Sequence, residues 1–87
     1  MQLTLLSRGY CHLCHEMEQA VRAQLPTDWQ LEVVDIDRHP VLEEKYDVLV
    51  PVLLAGEVVV FHYHFDPLRW QALTQAQKGP QALVKVG

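Results

Sequence analysis

Two cysteines separated by only two residues, Cys11-His12-Leu13-Cys14, stand where a short apolar run ends and an amphipathic stretch begins. That junction constrains the fold of this 87-residue chain more than any other feature. A pair so close in sequence closes a loop too short to remove much entropy from the unfolded chain, so it is a poor staple. Its position has to be explained by chemistry or by metal. Upstream, Leu3-Thr4-Leu5-Leu6 reads as a buried strand ended by Ser7, Arg8 and Gly9. Downstream, Leu13, Met17, Ala20, Val21 and Leu25 recur at helical spacing until Pro26-Thr27-Asp28 stops the helix.

The remaining pattern supplies five more elements. Leu31 to Ile36 is a second strand, rich in β-branched residues. Asp37 or His39 caps a short helix with Pro40 in its first turn, and Leu42 and Tyr46 share one face of it. Val52-Leu53-Leu54 and Val58 to Phe61, joined by a turn around Ala55-Gly56-Glu57, predict a hairpin. Asp66-Pro67 starts a last helix, with Leu68, Ala72, Leu73 and Ala76 as its buried stripe and Gly79-Pro80 as its end. Residues 81–87 read equally as a last turn, an added edge strand or a frayed end. The order is β-α-β-α-β-β-α, one α/β domain over residues 1–87, and its 49% hydrophobic content is enough to fill a single core.

A helix start leaves backbone N–H groups unpaired and carries partial positive charge, and both stabilise a thiolate. Such sites lower a cysteine pKa from about 8.5 to roughly 3.5–7.5. Cys11 is thus the candidate nucleophile for disulfide exchange. Cys14, one turn along the same face, is the candidate that resolves the mixed disulfide. Arg8 adds positive potential near Cys11 or grips an anionic thiol substrate. A protonated His12 would favour the thiolate further. For each there is also a plain reading, a solvated loop arginine and an idle helix-start histidine.

The run Ser7-Arg8-Gly9-Tyr10-Cys11-His12-Leu13-Cys14 after a strand, with Val50-Pro51 entering a hairpin, resembles the glutaredoxins. More narrowly, it is similar to small bacterial glutaredoxin-like proteins, over Leu3 to about Gln77. The resemblance implies a thioredoxin-like fold of glutaredoxin type, a four-stranded mixed sheet flanked by helices. It also implies a cis peptide before Pro51, packed on the cysteine pair. By the same resemblance Val50 offers its backbone to glutathione, and Arg8 meets a glutathione carboxylate. Tyr10, His12, Pro51 and Asp66 join them as substrate-binding candidates. Two departures stand out. His12 and Leu13 replace the proline and aromatic residue usual between the cysteines. His62-Tyr63-His64-Phe65-Asp66 replaces a Gly-Gly-Asp glutathione-binding stretch, of which only Asp66 remains, in a position where a helix cap fully explains it. Dithiol exchange is therefore better supported than glutathione recognition.

Other chemistries fit the same residues. Cys11, Cys14 and His15, with His62 or His64, offer four ligands of the kind zinc takes, although a second Cys-x-x-Cys knuckle is missing. A shared iron–sulfur cluster completed by glutathione is a related reading. Cys11-His12-Leu13-Cys14-His15 also satisfies the signature for covalent haem attachment, in a context unlike a cytochrome. A thioredoxin-fold interaction domain with incidental cysteines is the third class. In it His62 to Phe65 and Trp70 line a partner groove, or more simply cover the sheet edge, while Trp29 packs and Glu43, Glu44 and Asp47 form a solvated face. A net charge of −4 without a basic cluster argues against nucleic acid. No apolar run reaches membrane length, and no basic n-region precedes the first strand. The expectation is a cytoplasmic monomer with no bound cofactor and no metal. It would act on a disulfide-containing protein or on a glutathione mixed disulfide, with glutathione as a conceivable co-substrate.

Overall fold

The apolar run that opens the chain lies inside the sheet, with neighbours on both sides. A computed structural model of the protein describes residues 1–83, and the side chains of residues 1–76. Strand β1 (Gln2–Ser7) pairs in parallel with β2 (Gln30–Asp35), with Leu3 opposite Leu31 and Leu5 opposite Val33. On its other side β1 pairs antiparallel with β3 (Val52–Ala55), which in turn pairs antiparallel with β4 (Val58–His62). The strand order β2-β1-β3-β4 makes a mixed four-stranded sheet. A strand inside a sheet needs apolar residues on both faces, and Leu3, Leu5, Leu6, Val52 and Leu53 are all buried.

Helix α1 (His12–Gln24) connects β1 to β2, and a one-turn 3₁₀ helix (Ile36–Arg38) and α2 (Pro40–Tyr46) connect β2 to β3. Pro40 occupies the first turn of α2, where its missing N–H is no loss. His39 precedes it without a capping side-chain bond, and Asp35 caps the 3₁₀ turn by accepting from the N–H of Asp37 at 2.9 Å. Of the two capping candidates the sequence offers for α2, His39 holds the N-cap position, and Asp35 caps the 3₁₀ turn before it.

Two apolar clusters form the core. One joins Leu3, Leu5 and Leu53 to Met17 and Val21 of α1 and to Trp70 of α3 (Pro67–Leu83). The other joins Leu6, Val52 and Leu54 to Ile36 and Tyr46, and includes Cys14 and Val50. The redox candidates therefore sit within packed apolar structure, at the edge of the second cluster.

Two local expectations change, both in α3, and β4 adds an irregularity that the hairpin reading does not address. In α3, Leu68 is 76% exposed and Trp70 only 5%, so the buried face is rotated from the Leu68–Ala72–Leu73–Ala76 stripe. Helix phase follows from where the chain enters: Trp70 meets Trp29 edge-on at 6.1 Å and Phe65 at 5.8 Å, an aromatic cluster that outweighs a leucine. In β4, Val60 and Phe61 are both buried because a register shift opposite Leu53/Leu54 breaks the alternation. Helix α3 also runs through Gly79-Pro80 to Leu83, although Pro80 has no N–H to give the Ala76 carbonyl. Residues 84–87, the rest of the tail left open above, lie outside the described residues. Among the described residues no helix is long and apolar enough to cross a membrane.

Candidate functional site

Cys11 is the N-cap of α1, and its Sγ accepts a hydrogen bond from the backbone N–H of Cys14 at 3.1 Å. A sulfur thus fills the place that Ser or Asp takes at ordinary helix starts. The Cys11 N–H in turn donates to the Arg8 carbonyl at 3.2 Å, and the N–H of His15 donates to the Cys11 carbonyl at 3.2 Å. The first turn of α1 carries no acidic residue, so the positive end of the helix is not offset from within. Cys11 and Cys14 are disulfide-bonded, with Cα atoms 5.2 Å apart. Cys14 is 1% exposed, whereas Cys11 is only half-buried.

Opposite this turn, the Val50–Pro51 peptide is cis, as the resemblance implied. Val50 and Pro51 are buried, and Val50 packs in the same apolar cluster as Cys14. The Pro51 carbonyl accepts from the N–H of Tyr63 at 2.7 Å, which ties the loop after β4 to the loop before β3. Tyr63 holds φ at 72°, a left-handed conformation that a residue with a side chain adopts only at a cost of about 1–2 kcal/mol. Tyr63 thus holds a glycine-like backbone in the stretch where the resemblance to glutaredoxins implied a Gly-Gly pair. Nothing in the sequence beyond that replacement signals the strain.

Arg8 turns toward acids. Its Nε donates to Asp37 at 3.0 Å, one terminal nitrogen donates to Glu43 at 3.2 Å and to Asp47, and the other reaches the Asp47 carbonyl at 3.4 Å. The guanidinium pKa is raised further, chiefly by the hydrogen bond to Asp47; desolvation opposes the rise, and the charges of Asp37 and Asp47 add to it. Its side chain is 15% exposed, and an anionic substrate would have to share it with three carboxylates. Asp37, Glu43 and Asp47 were not recognised in the sequence as its partners, because they lie 29 to 39 residues away.

Tyr10 and His12 are 80% and 83% exposed beside Cys11, and His12 Nε2 lies 2.7 Å from Glu16. Asp66 caps α3, accepting from the N–H groups of Leu68 at 3.0 Å and Arg69 at 3.2 Å. The cleft that Asp66 lines, bounded by Val60, His62 and Arg69, includes neither cysteine. A separate cleft of about 250 Å³ does reach Cys11, and Arg8, His15, Glu18 and Asp35 line it. His15 Nε2 lies 3.2 Å from the Gln19 amide nitrogen, and among the described residues no three His, Cys, Asp or Glu side chains are grouped to hold a metal ion.

Residues 2–73 match the family model described as a glutaredoxin-like domain (DUF836). The X-ray structure of protein XcR50 from X. campestris is 32% identical and aligns with a TM-score of 0.67 over 85% of this chain and 96% of that one. The solution structure of protein Ne2328 from Nitrosomonas europaea is 35% identical, with a TM-score of 0.73 over 83% of this chain and 88% of that one. NrdH-redoxin from Escherichia coli, described as a glutaredoxin-like protein with a thioredoxin-like activity profile, is 24% identical. It aligns over 74% of this chain and 86% of its own with a TM-score of 0.57, a likeness of fold alone. No curated protein matches the chain. The matched domain and the bonded Cys11–Cys14 pair are consistent with thiol redox function.

Proposed function

The chain belongs to the glutaredoxin-like family, and on that premise we propose that it exchanges dithiol for disulfide, reducing a disulfide in a protein substrate. The observation that carries this reading is the Cys11 sulfur at the N-cap, receiving the Cys14 N–H. In the reduced protein the same position favours a Cys11 thiolate over a thiol, because a backbone donor and the helix end both address the charge.

The reaction then runs in two displacements. The Cys11 thiolate attacks one sulfur of the substrate disulfide, forming a mixed disulfide and releasing the other sulfur as a thiolate. Cys14, losing its proton to solvent, attacks Cys11 and releases the second substrate thiolate. Two electrons pass to the substrate, both substrate sulfurs leave reduced, and the protein ends as its Cys11–Cys14 disulfide. The unequal burial of the two sulfurs suits this order: the half-buried one meets substrate and the buried one acts within the molecule. Val50 and the cis Pro51 form the wall against which the substrate chain would lie.

Glutathione is the alternative substrate. Arg8, its expected carboxylate partner, is held by three acids, and Tyr63 occupies a turn where glycine would let a ligand approach the backbone. A protein disulfide is therefore the better fit. The test titrates the cysteine pair against a glutathione redox buffer and measures the pKa of Cys11 in the reduced protein. We expect a value well below the free-thiol figure of about 8.5. Cys14→Ser should accumulate substrate bound through Cys11, and Cys11→Ser should accumulate none. An ordinary thiol pKa together with no turnover of any disulfide would sink the reading.

A further inference from the structure

Beside the cysteine pair, on the flank of α1 that faces the β4–α3 loop, lies a cleft of about 210 Å³ that the exchange reaction above does not use. Leu13, Glu16, Met17 and Ala20 form one wall, and Tyr63, His64 and Phe65 the other. Leu13, between the two cysteines in the chain, belongs to the first turn of α1, so the cleft begins at the turn that carries the pair, although neither sulfur lines it. We propose that this cleft binds the side chain of a lysine or arginine that flanks the attacked cysteine in the protein substrate. The proposal rests on the function just proposed and names the substrate class of that site.

The chemistry of the lining selects such a side chain. Long basic residues lay an apolar stem along apolar surface and keep the charged head at a polar group. Here Leu13, the buried Met17, Ala20 and the half-buried Phe65 supply the surface, and the carboxylate of Glu16 is the lone acidic group on the walls. Tyr63 adds an aromatic ring to the rim, set nearly perpendicular to His64 with centroids 5.0 Å apart. A cation over such a ring gains further attraction. Glu16 meets His12 at 2.7 Å, and both side chains are exposed, so a substrate cation would compete with His12 for Glu16 at the surface.

The surroundings favour the same partner. The basic residue nearest the pair, Arg8, lies on the other flank of α1, engaged by Asp37, Glu43 and Asp47, and no basic residue other than His64 lines the cleft itself. An acidic side chain in the cleft would meet the Glu16 carboxylate, whereas a basic one would pair with it. Tyr63 places its ring on this rim from a left-handed backbone position that glycine would occupy at no cost.

The test uses three short peptide disulfides, identical except for one residue beside the cysteine: arginine, norleucine or glutamate. With the reduced wild-type protein, the arginine peptide should react about fivefold faster than the norleucine one, and the glutamate peptide slowest. Glu16→Gln and Tyr63→Leu should each shrink the arginine preference, while Glu57→Gln, in the turn at the far end of the hairpin, should leave it unchanged. In parallel, the unreactive Cys11→Ser/Cys14→Ser protein is titrated with the reduced arginine peptide, following amide shifts of Leu13, Met17, Ala20 and Tyr63. Equal rates for the three peptides with no shifts at those residues would overturn the cleft while leaving disulfide exchange intact. Cleft shifts in a protein that turns over no peptide would support the cleft and remove the proposed reaction. A preference equally weakened by Glu57→Gln would reduce it to overall charge and overturn the assignment.

Discussion

At the scale of single residues, two positions carry opposite kinds of information. Asp66 satisfies two N–H groups at the start of α3, and that capping fully accounts for it. Asp66→Ala should therefore cost about 1 kcal/mol of stability in urea unfolding, with little change in the exchange rate. A large loss of exchange rate at unchanged stability would instead give Asp66 a role toward substrate. Tyr63 is the reverse case, a residue whose backbone conformation disfavours it. Its N–H bond to Pro51 survives replacement by glycine, so Tyr63→Gly relieves the left-handed strain without breaking the tie. Allowing for the greater freedom of glycine in the unfolded chain, the variant should gain about 0.5–1 kcal/mol. An unfolding midpoint at or below that of the wild type would show that the tyrosine side chain earns its place through folding contacts.

At the scale of elements, the site depends on how loops are tied together, and Arg8 makes the longest tie. From the loop between β1 and α1, it reaches Asp37 in the 3₁₀ turn, Glu43 in α2 and Asp47 just after it. Its own carbonyl meanwhile holds the Cys11 N–H. Arg8→Ala would leave three carboxylates facing one another without a counter-charge. The variant should unfold at lower urea, and added salt should narrow its deficit by screening that repulsion. Arg8→Lys should recover only part of the loss, because a single ammonium lacks the fork that meets several acceptors at once. An Arg8→Ala midpoint equal to that of the wild type at low salt would refute the tie. None of this was legible in the sequence, where Arg8 and its partners are separated by 29 residues or more. The elements themselves were legible, because periodicity, Pro40, Asp66-Pro67 and the Gly56 turn act locally. The errors arose where tertiary contact decides. Trp29 and Phe65 set the phase of α3 through Trp70. The irregularity that buries both Val60 and Phe61, on which the sequence reading made no statement, exists only in pairing with β3. The cysteine placement was readable for the opposite reason, since the strand end, the cap and the helix are contiguous.

At the scale of the whole molecule, the proposed exchange, which would cycle the chain's only two cysteines, requires that the fold not depend on their bond. A domain of this size has roughly 4–13 kcal/mol of stability in total. With a sequence separation of 3, the Cys11–Cys14 bond constrains a very short loop, for which chain entropy gives about 2 kcal/mol at most. The core contributes far more. Leu53 is fully buried in β3, with Leu5 opposite on one side and Phe61 on the other, so no rearrangement of one element can fill its place. Leu53→Ala should cost about 3–5 kcal/mol. Urea unfolding of the oxidised wild type, the reduced wild type and oxidised Leu53→Ala should then rank in that order of falling midpoint. The step caused by reduction should be the smaller of the two. If reduction instead lowered the midpoint more than Leu53→Ala does, the disulfide would be a structural brace, and the proposed exchange could not open that bond without costing more stability than the loss of a core leucine.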